Sequence, residues 1–229
     1  MTSNIIAGRY ADPTFNEIEH SALQWLDGFY SLEHLLCTRA WAIRLCADAS
    51  AELKFAALVH DAERFFPGGP TSTPSKFDDP DYLFAHSIRS ADIVEAWLRA
   101  RTPAPAEDYI GHVRRLILRH EIGGGWEADI LQAADSLSFL ETFDWLTVDW
   151  VRSGRYTIPQ AKEKLDFTVE RIRPSAALRH ALPLYERAVR LLESAHDSRM
   201  DLKQRRAIAG NRRLLLGELP SPEEMASSR

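Results

Sequence analysis

The chain has 229 residues, 45% of them hydrophobic and 27% charged, with a net charge of −5 at pH 7. That length admits one large domain or a core with an appendage, and the composition excludes a disordered or fibrous chain. The acidic balance argues against a nucleic-acid coat or a membrane-surface protein, yet not against a small anionic substrate, because bound cations outweigh a modest global charge.

The first nine residues hold no apolar core of signal-peptide type, and no run of about 18 or more apolar residues occurs, so a cytoplasmic protein without a membrane partner is expected. Helical periodicity dominates from there on. A first helix is predicted over 15–29, with Ile18, Ala22, Trp25, Leu26 and Phe29 on one side. A second, over 31–48, is opened by Ser31 with Glu33 and His34 in its first turn. Cys37 and Cys46 lie on this helix more than two turns apart. They cannot bond while it is intact, and they read as small buried hydrophobes in a reducing compartment.

A third helix, over 50–66, runs through an apolar stretch into His60-Asp61 and ends at Pro67-Gly68-Gly69-Pro70. The proline-punctuated loop 68–80, which carries Lys76, is where specificity is expected to reside. The fourth helix covers 81–101 with His86 and Arg89, and the fifth covers 106–120, ending at His120 before Gly123-Gly124-Gly125. A sixth spans 126–152 and carries Asp135. Thr157-Ile158-Pro159 opens another helix by a cap followed by proline, and a last one covers 175–196. Beyond it come a basic cluster, including Arg199, Arg205 and Arg213, and a tail read as frayed. No segment reads convincingly as strand, and the expected fold class is all-α.

Imidazole nitrogens and carboxylate oxygens are ligands for zinc, iron and manganese. His34, His60, Asp61, His86, His120 and Asp135 each lie in or at the end of a predicted helix. Together they suffice for two cations sharing a carboxylate, roughly 3.5–4 Å apart, with a water between them that ionises near neutral pH. A lone mid-helix histidine is ordinarily a hydrogen-bonded core residue, so the reading rests on the six as a set. His60 and Asp61 differ by about 100° around a helix and approach one centre from neighbouring directions. Arg64 follows on the same side, where it would clamp a phosphate oxygen or pair with Glu63. Lys76 and Arg89 read as solvated or structural; Glu121, beside His120, reads as a helix-end carboxylate ahead of a group that orients a water or a ligand histidine. His20, His112, His180 and the pair His196-Asp197 fall outside the pattern.

Two flanking pieces sharpen that order: Ala85-His86-Ser87-Ile88-Arg89-Ser90-Ala91, and Ile117-Leu118-Arg119-His120 followed by Ile130-Leu131-Gln132-Ala133-Ala134-Asp135. The whole resembles the HD-domain superfamily of metal-dependent phosphohydrolases, in its six-ligand, di-metal subclass, over about residues 31–146. The resemblance implies an HD-domain-like helical bundle over 31–152. An N-terminal helical extension over 1–30, C-terminal helices packed on the core over 153–215 and a flexible tail over 216–229 complete the expected organisation. It further implies one metal on His34, His60, Asp61 and Asp135, and a second on Asp61 as bridge with His86 and His120. The expected cofactors are two divalent ions, iron or manganese ahead of zinc or magnesium. Asp61 and Arg64 are the implied catalytic residues, although many members carry lysine where Arg64 stands.

The implied activity is hydrolysis of a phosphoester or phosphoanhydride by a metal-bridging hydroxide. The partner would be a small phosphorylated substrate, a nucleotide among the candidates. Nucleic acid and membrane are not expected, and self-association is left open. Two alternatives share the ligand set: a mixed-valent di-iron oxygenase of the same superfamily, which commonly has lysine at the Arg64 position, and a non-catalytic metal-containing binding module. The HD-GYP branch does not fit, since Pro67-Gly68-Gly69-Pro70 and His120-Glu121 replace its characteristic segments.

Overall fold

A computed structural model describes residues 14–68 and 76–196. All regular structure among them is helical: nine α-helices, two short 3₁₀ turns and no strand. The helices are α1 (Glu17–Trp25), α2 (Leu32–Leu45), α3 (Ala51–Val59), α4 (Pro80–Arg99), α5 (Glu107–Arg119), α6 (Trp126–Thr142), α7 (Asp144–Arg152), α8 (Ile158–Glu170) and α9 (Ser175–Glu193). No helix among the described residues is long and apolar enough to cross a membrane.

Several helix starts are written in the sequence. Asn16 and Glu19 exchange side-chain and backbone hydrogen bonds of 2.9 Å at the head of α1, and Thr157 with Gln160 does the same at α8. Ser50 accepts from the Leu53 N–H at 3.0 Å, and Asp79 caps α4 ahead of Pro80. The core forms where α2 lies along α6 and α3, with Leu35, Leu53, Phe55, Leu131 and Leu137 fully buried. α4 pairs with α5, and α9 packs on α6, α7 and α8. Cys37 and Cys46 are both buried thiols, 3.5 Å from Glu141 Oε2 and 3.3 Å from Asp48 Oδ1 respectively.

Three predicted helices end differently. The first stops at Trp25, and Gly28 at φ 86° then turns the chain in the left-handed region that glycine tolerates. The third does not run to Phe66. It ends at Val59, His60 is its C-cap, and a 3₁₀ turn covers Ala62–Phe65. There the His60 ring nitrogen Nδ1 lies 3.1 Å from the Ala57 carbonyl, taking up one of the acceptors a helix terminus leaves open. The sixth splits at Phe143 (φ −117°), where the Trp145 indole N–H donates to the Thr142 carbonyl at 2.9 Å and Phe143 turns inward, 7% exposed. Residues 1–13, most of the loop that carries Lys76, Asp197, the basic cluster and the tail lie outside the described residues.

Candidate metal centre

α3 and α5 end alike. His120, like His60, is the C-cap of its helix, and its Nδ1 sits 2.7 Å from the carbonyl of Ile117. In each case the imidazole satisfies a terminal carbonyl through Nδ1–H, which leaves Nε2 as a lone pair. α4 presents His86 from mid-helix, its Nδ1 2.8 Å from Glu63 Oε1. α2 presents His34 from its first turn. Ser138 on α6 donates its hydroxyl hydrogen to the His34 carbonyl at 2.8 Å, so its oxygen accepts from His34 Nδ1, also at 2.8 Å. The Nδ1 of all four histidines is thereby anchored, which turns each Nε2 inward, the arrangement that positions metal-ligating imidazoles.

The four Nε2 atoms converge on two carboxylates. Asp135 Oδ1 is 3.1 Å from His34 Nε2 and 3.4 Å from His60 Nε2. Asp61 Oδ1 is 2.8 Å from His86 Nε2 and 4.0 Å from those of His60 and His120. Ligand atoms of His34, His60 and Asp61, and of Asp61, His86 and His120, lie within 4.8 Å of one another in each group, with Asp61 common to both. The structure thus gathers all six residues singled out by the sequence. His60, His86 and His120 are 0% exposed, and their Nε2 atoms make no aligned hydrogen bond among the described residues. Leaving such groups unpaired in the interior is costly, and bound cations would relieve them. The residues fit a metal.

Charge around the centre is dense. Burial opposes ionisation of Asp61, but Arg64, His60 and His86 outweigh it and hold its carboxyl well below the usual range. Asp135 is likewise held low against burial by Arg171 and His34. Burial also works against a charged His86, yet the carboxylates of Asp61 and Glu63 raise it to about 9. In His120 burial wins, helped by His60 and His86, and lowers it to about 4.

The centre opens into a cavity of about 140 Å³. Arg64, Arg155, Lys164 and Arg171 line it together with Phe77, Tyr82, Trp150 and Tyr156. Arg64 lies 3.5 Å from Asp61 Oδ2 and 3.8 Å from Glu63 Oε1, and donates to the Tyr82 hydroxyl at 3.2 Å. Half-buried Lys164 is pushed down to about 8 by burial and by Arg171.

Arg171 and Lys164 were not foreseen, because they come from α8 and its C-cap, outside the histidine pattern and without a local signal of their own. Glu121, read as a helix-end carboxylate, instead faces inward, paired with Arg171. The remaining candidates lie elsewhere. Lys76 is exposed, Arg89 donates to the Pro67 carbonyl at 2.5 Å, and His112 pairs with Glu127 at 2.8 Å. His20 and His180 sit against Phe15 and Trp41.

No protein-family model, no curated protein and no solved structure matches the chain.

Proposed function

We propose that the protein is a metal-dependent phosphohydrolase of the HD type, acting on a small phosphorylated substrate. One observation carries the reading: buried imidazoles with unpartnered Nε2 atoms converge on Asp61 at the floor of a cavity lined by cations. His34, His60, Asp61 and Asp135 would hold one divalent ion, and Asp61, His86 and His120 the other. Such ions, when bound, make water ionise near neutral pH and neutralise charge that builds on a phosphoryl group.

The chain's own groups do the rest. Glu63 and Ser138 accept from His86 and His34, and the carbonyls of Ala57 and Ile117 accept from His60 and His120, so the rings keep their orientation through a catalytic cycle. Arg64 reaches Asp61 with one edge and lines the cavity, placing its guanidinium to bind phosphoryl oxygens bidentately. Lys164, whose ammonium lies 5.9, 5.1 and 5.2 Å from the ring centroids of Phe77, Phe139 and Phe167, adds a further cation to the cavity wall. The aromatic wall of Phe77, Trp150 and Tyr156 excludes water from the organic part of the substrate.

The test is a screen of nucleoside mono-, di- and triphosphates, cyclic and dinucleoside phosphates and sugar phosphates, with iron and with manganese. Release of phosphate or nucleotide without oxygen is expected. Oxygen uptake with a polyol or phosphonate, and no hydrolysis of any phosphate, would establish the oxygenase instead.

A further inference from the structure

The two halves of the centre are not equally furnished by the six residues. The half formed by His34 and His60 has a carboxylate of its own, Asp135, besides the shared Asp61. The half formed by His86 and His120 has none in that set. Glu121 stands in the corresponding place. Its Oε1 lies 3.7 Å from His120 Nε2 and 3.9 Å from His86 Nε2, as Asp135 Oδ1 lies 3.1 and 3.4 Å from His34 and His60 Nε2.

The second oxygens complete the correspondence. Asp135 Oδ2 accepts from Arg171 Nη2 at 2.5 Å, and Glu121 Oε2 accepts from Nη1 of the same guanidinium. Arg171 itself is fixed by Ser136, whose hydroxyl oxygen accepts from its Nε at 2.8 Å. One rigid fork therefore turns two carboxylates so that each offers its remaining oxygen to a histidine pair. His86 and His120 are 0% exposed, and their Nε2 atoms lack an aligned partner among the described residues, so that oxygen faces atoms that themselves call for a cation.

We propose that Glu121 is a ligand of the second metal ion, giving each ion two histidines, one carboxylate of its own and a share of Asp61, with Arg171 setting the spacing of the two outer carboxylates. The inference rests on the two-metal reading above. It assigns Glu121, rather than water alone, to the position that three protein ligands leave open.

The test counts bound Mn²⁺ by the electron paramagnetic resonance signal of the free ion during titration of the full chain. The wild type should bind two ions. Glu121→Gln, which keeps the shape and an oxygen for Arg171, should bind the first ion as the wild type does and the second at least about tenfold more weakly. Glu121→Asp should restore part of the loss. Two ions bound with wild-type affinity by Glu121→Gln would overturn the assignment while leaving the two-metal centre standing. Equal weakening of both ions would overturn it too, since that marks a charge acting through space rather than a ligand. A wild type that binds no Mn²⁺ or other divalent ion would remove the reading beneath it. Melting temperature and circular dichroism on each variant separate these outcomes from loss of fold.

Discussion

Two of the buried polar side chains on α2, His34 and Arg39, stand five residues apart and belong to opposite kinds of interior. Arg39 is 1% exposed and its partner Glu19 is 0% exposed. Its Nε donates to Glu19 Oε1 at 2.6 Å and its Nη2 to Oε2 at 3.1 Å, while Oε2 also accepts from the Asn16 backbone at 2.9 Å. That carboxylate has a donor on each oxygen, and the pair joins α1 to α2. Around His34 the Nδ1 side of every ring is satisfied, but the Nε2 atoms of three neighbouring histidines are not. Burial is the same in both places. The difference is that one group closes on itself, whereas the other is complete only with something added. What sets the second site apart is not depth but that its unpaired Nε2 atoms are gathered around shared carboxylates.

The largest test of that contrast is Asp61→Ala, which removes the group common to both halves of the centre. Both metals and the hydrolysis should be lost, whereas His86→Ala or His120→Ala should lose chiefly one ion; metal analysis of the purified variants decides. Equal loss of both ions in the folded His120 variant would contradict the division of ligands.

Glu19→Ala sharpens the other side. Taking the carboxylate from a buried guanidinium should cost about 3–5 kcal/mol of stability, read by denaturant unfolding, yet leave the metal count per folded chain unchanged. A fall in metal content without loss of stability would blur the distinction.

Next comes pH, measured on chelator-treated protein. His120 stays neutral down to about 4, so between an unfolded value near 6.5 and that point only the unfolded chain gains its proton, and stability falls as pH falls. His86, raised to about 9, stabilises fully below 6.5 and loses that contribution as pH rises through 9. In melting temperature against pH, the His120 limb should therefore run from pH 6.5 down to about 4 and the His86 limb from 6.5 up to about 9. Each is worth on the order of 3 kcal/mol, with Lys164, lowered to about 8, offsetting part of the alkaline fall. His120→Gln should flatten the acid limb and His86→Gln the alkaline one.

The smallest effect is expected at Arg64. Arg64→Ala should lower kcat/KM by one to two orders, as for loss of a charge-assisted contact of about 1.5–3 kcal/mol, with normal metal content. Unchanged turnover with a lowered melting temperature would make Arg64 a salt-bridge partner of Asp61 and Glu63 only.

How much could be read beforehand follows the same physics. Helix identity was legible because caps such as Asn16, Ser50 and Thr157 and the apolar periodicity are local. Helix ends were less so. The end of α5 at His120 was read correctly, but α3 stops early at His60, whose ring takes the Ala57 carbonyl, and α6 breaks where Phe143 turns inward against His34. In the site, the six groups carried an order along the chain that could be recognised. Arg171, Lys164 and the inward turn of Glu121 could not, because each acquires its place only when α8 closes over the centre.

The most direct test of the account is anomalous diffraction from crystals of the protein soaked in Mn²⁺. It should give two peaks roughly 3.5–4 Å apart, one beside His34, His60 and Asp135, the other beside His86 and His120, with Asp61 between them. A single peak on one side, or none in the histidine cluster, would contradict it.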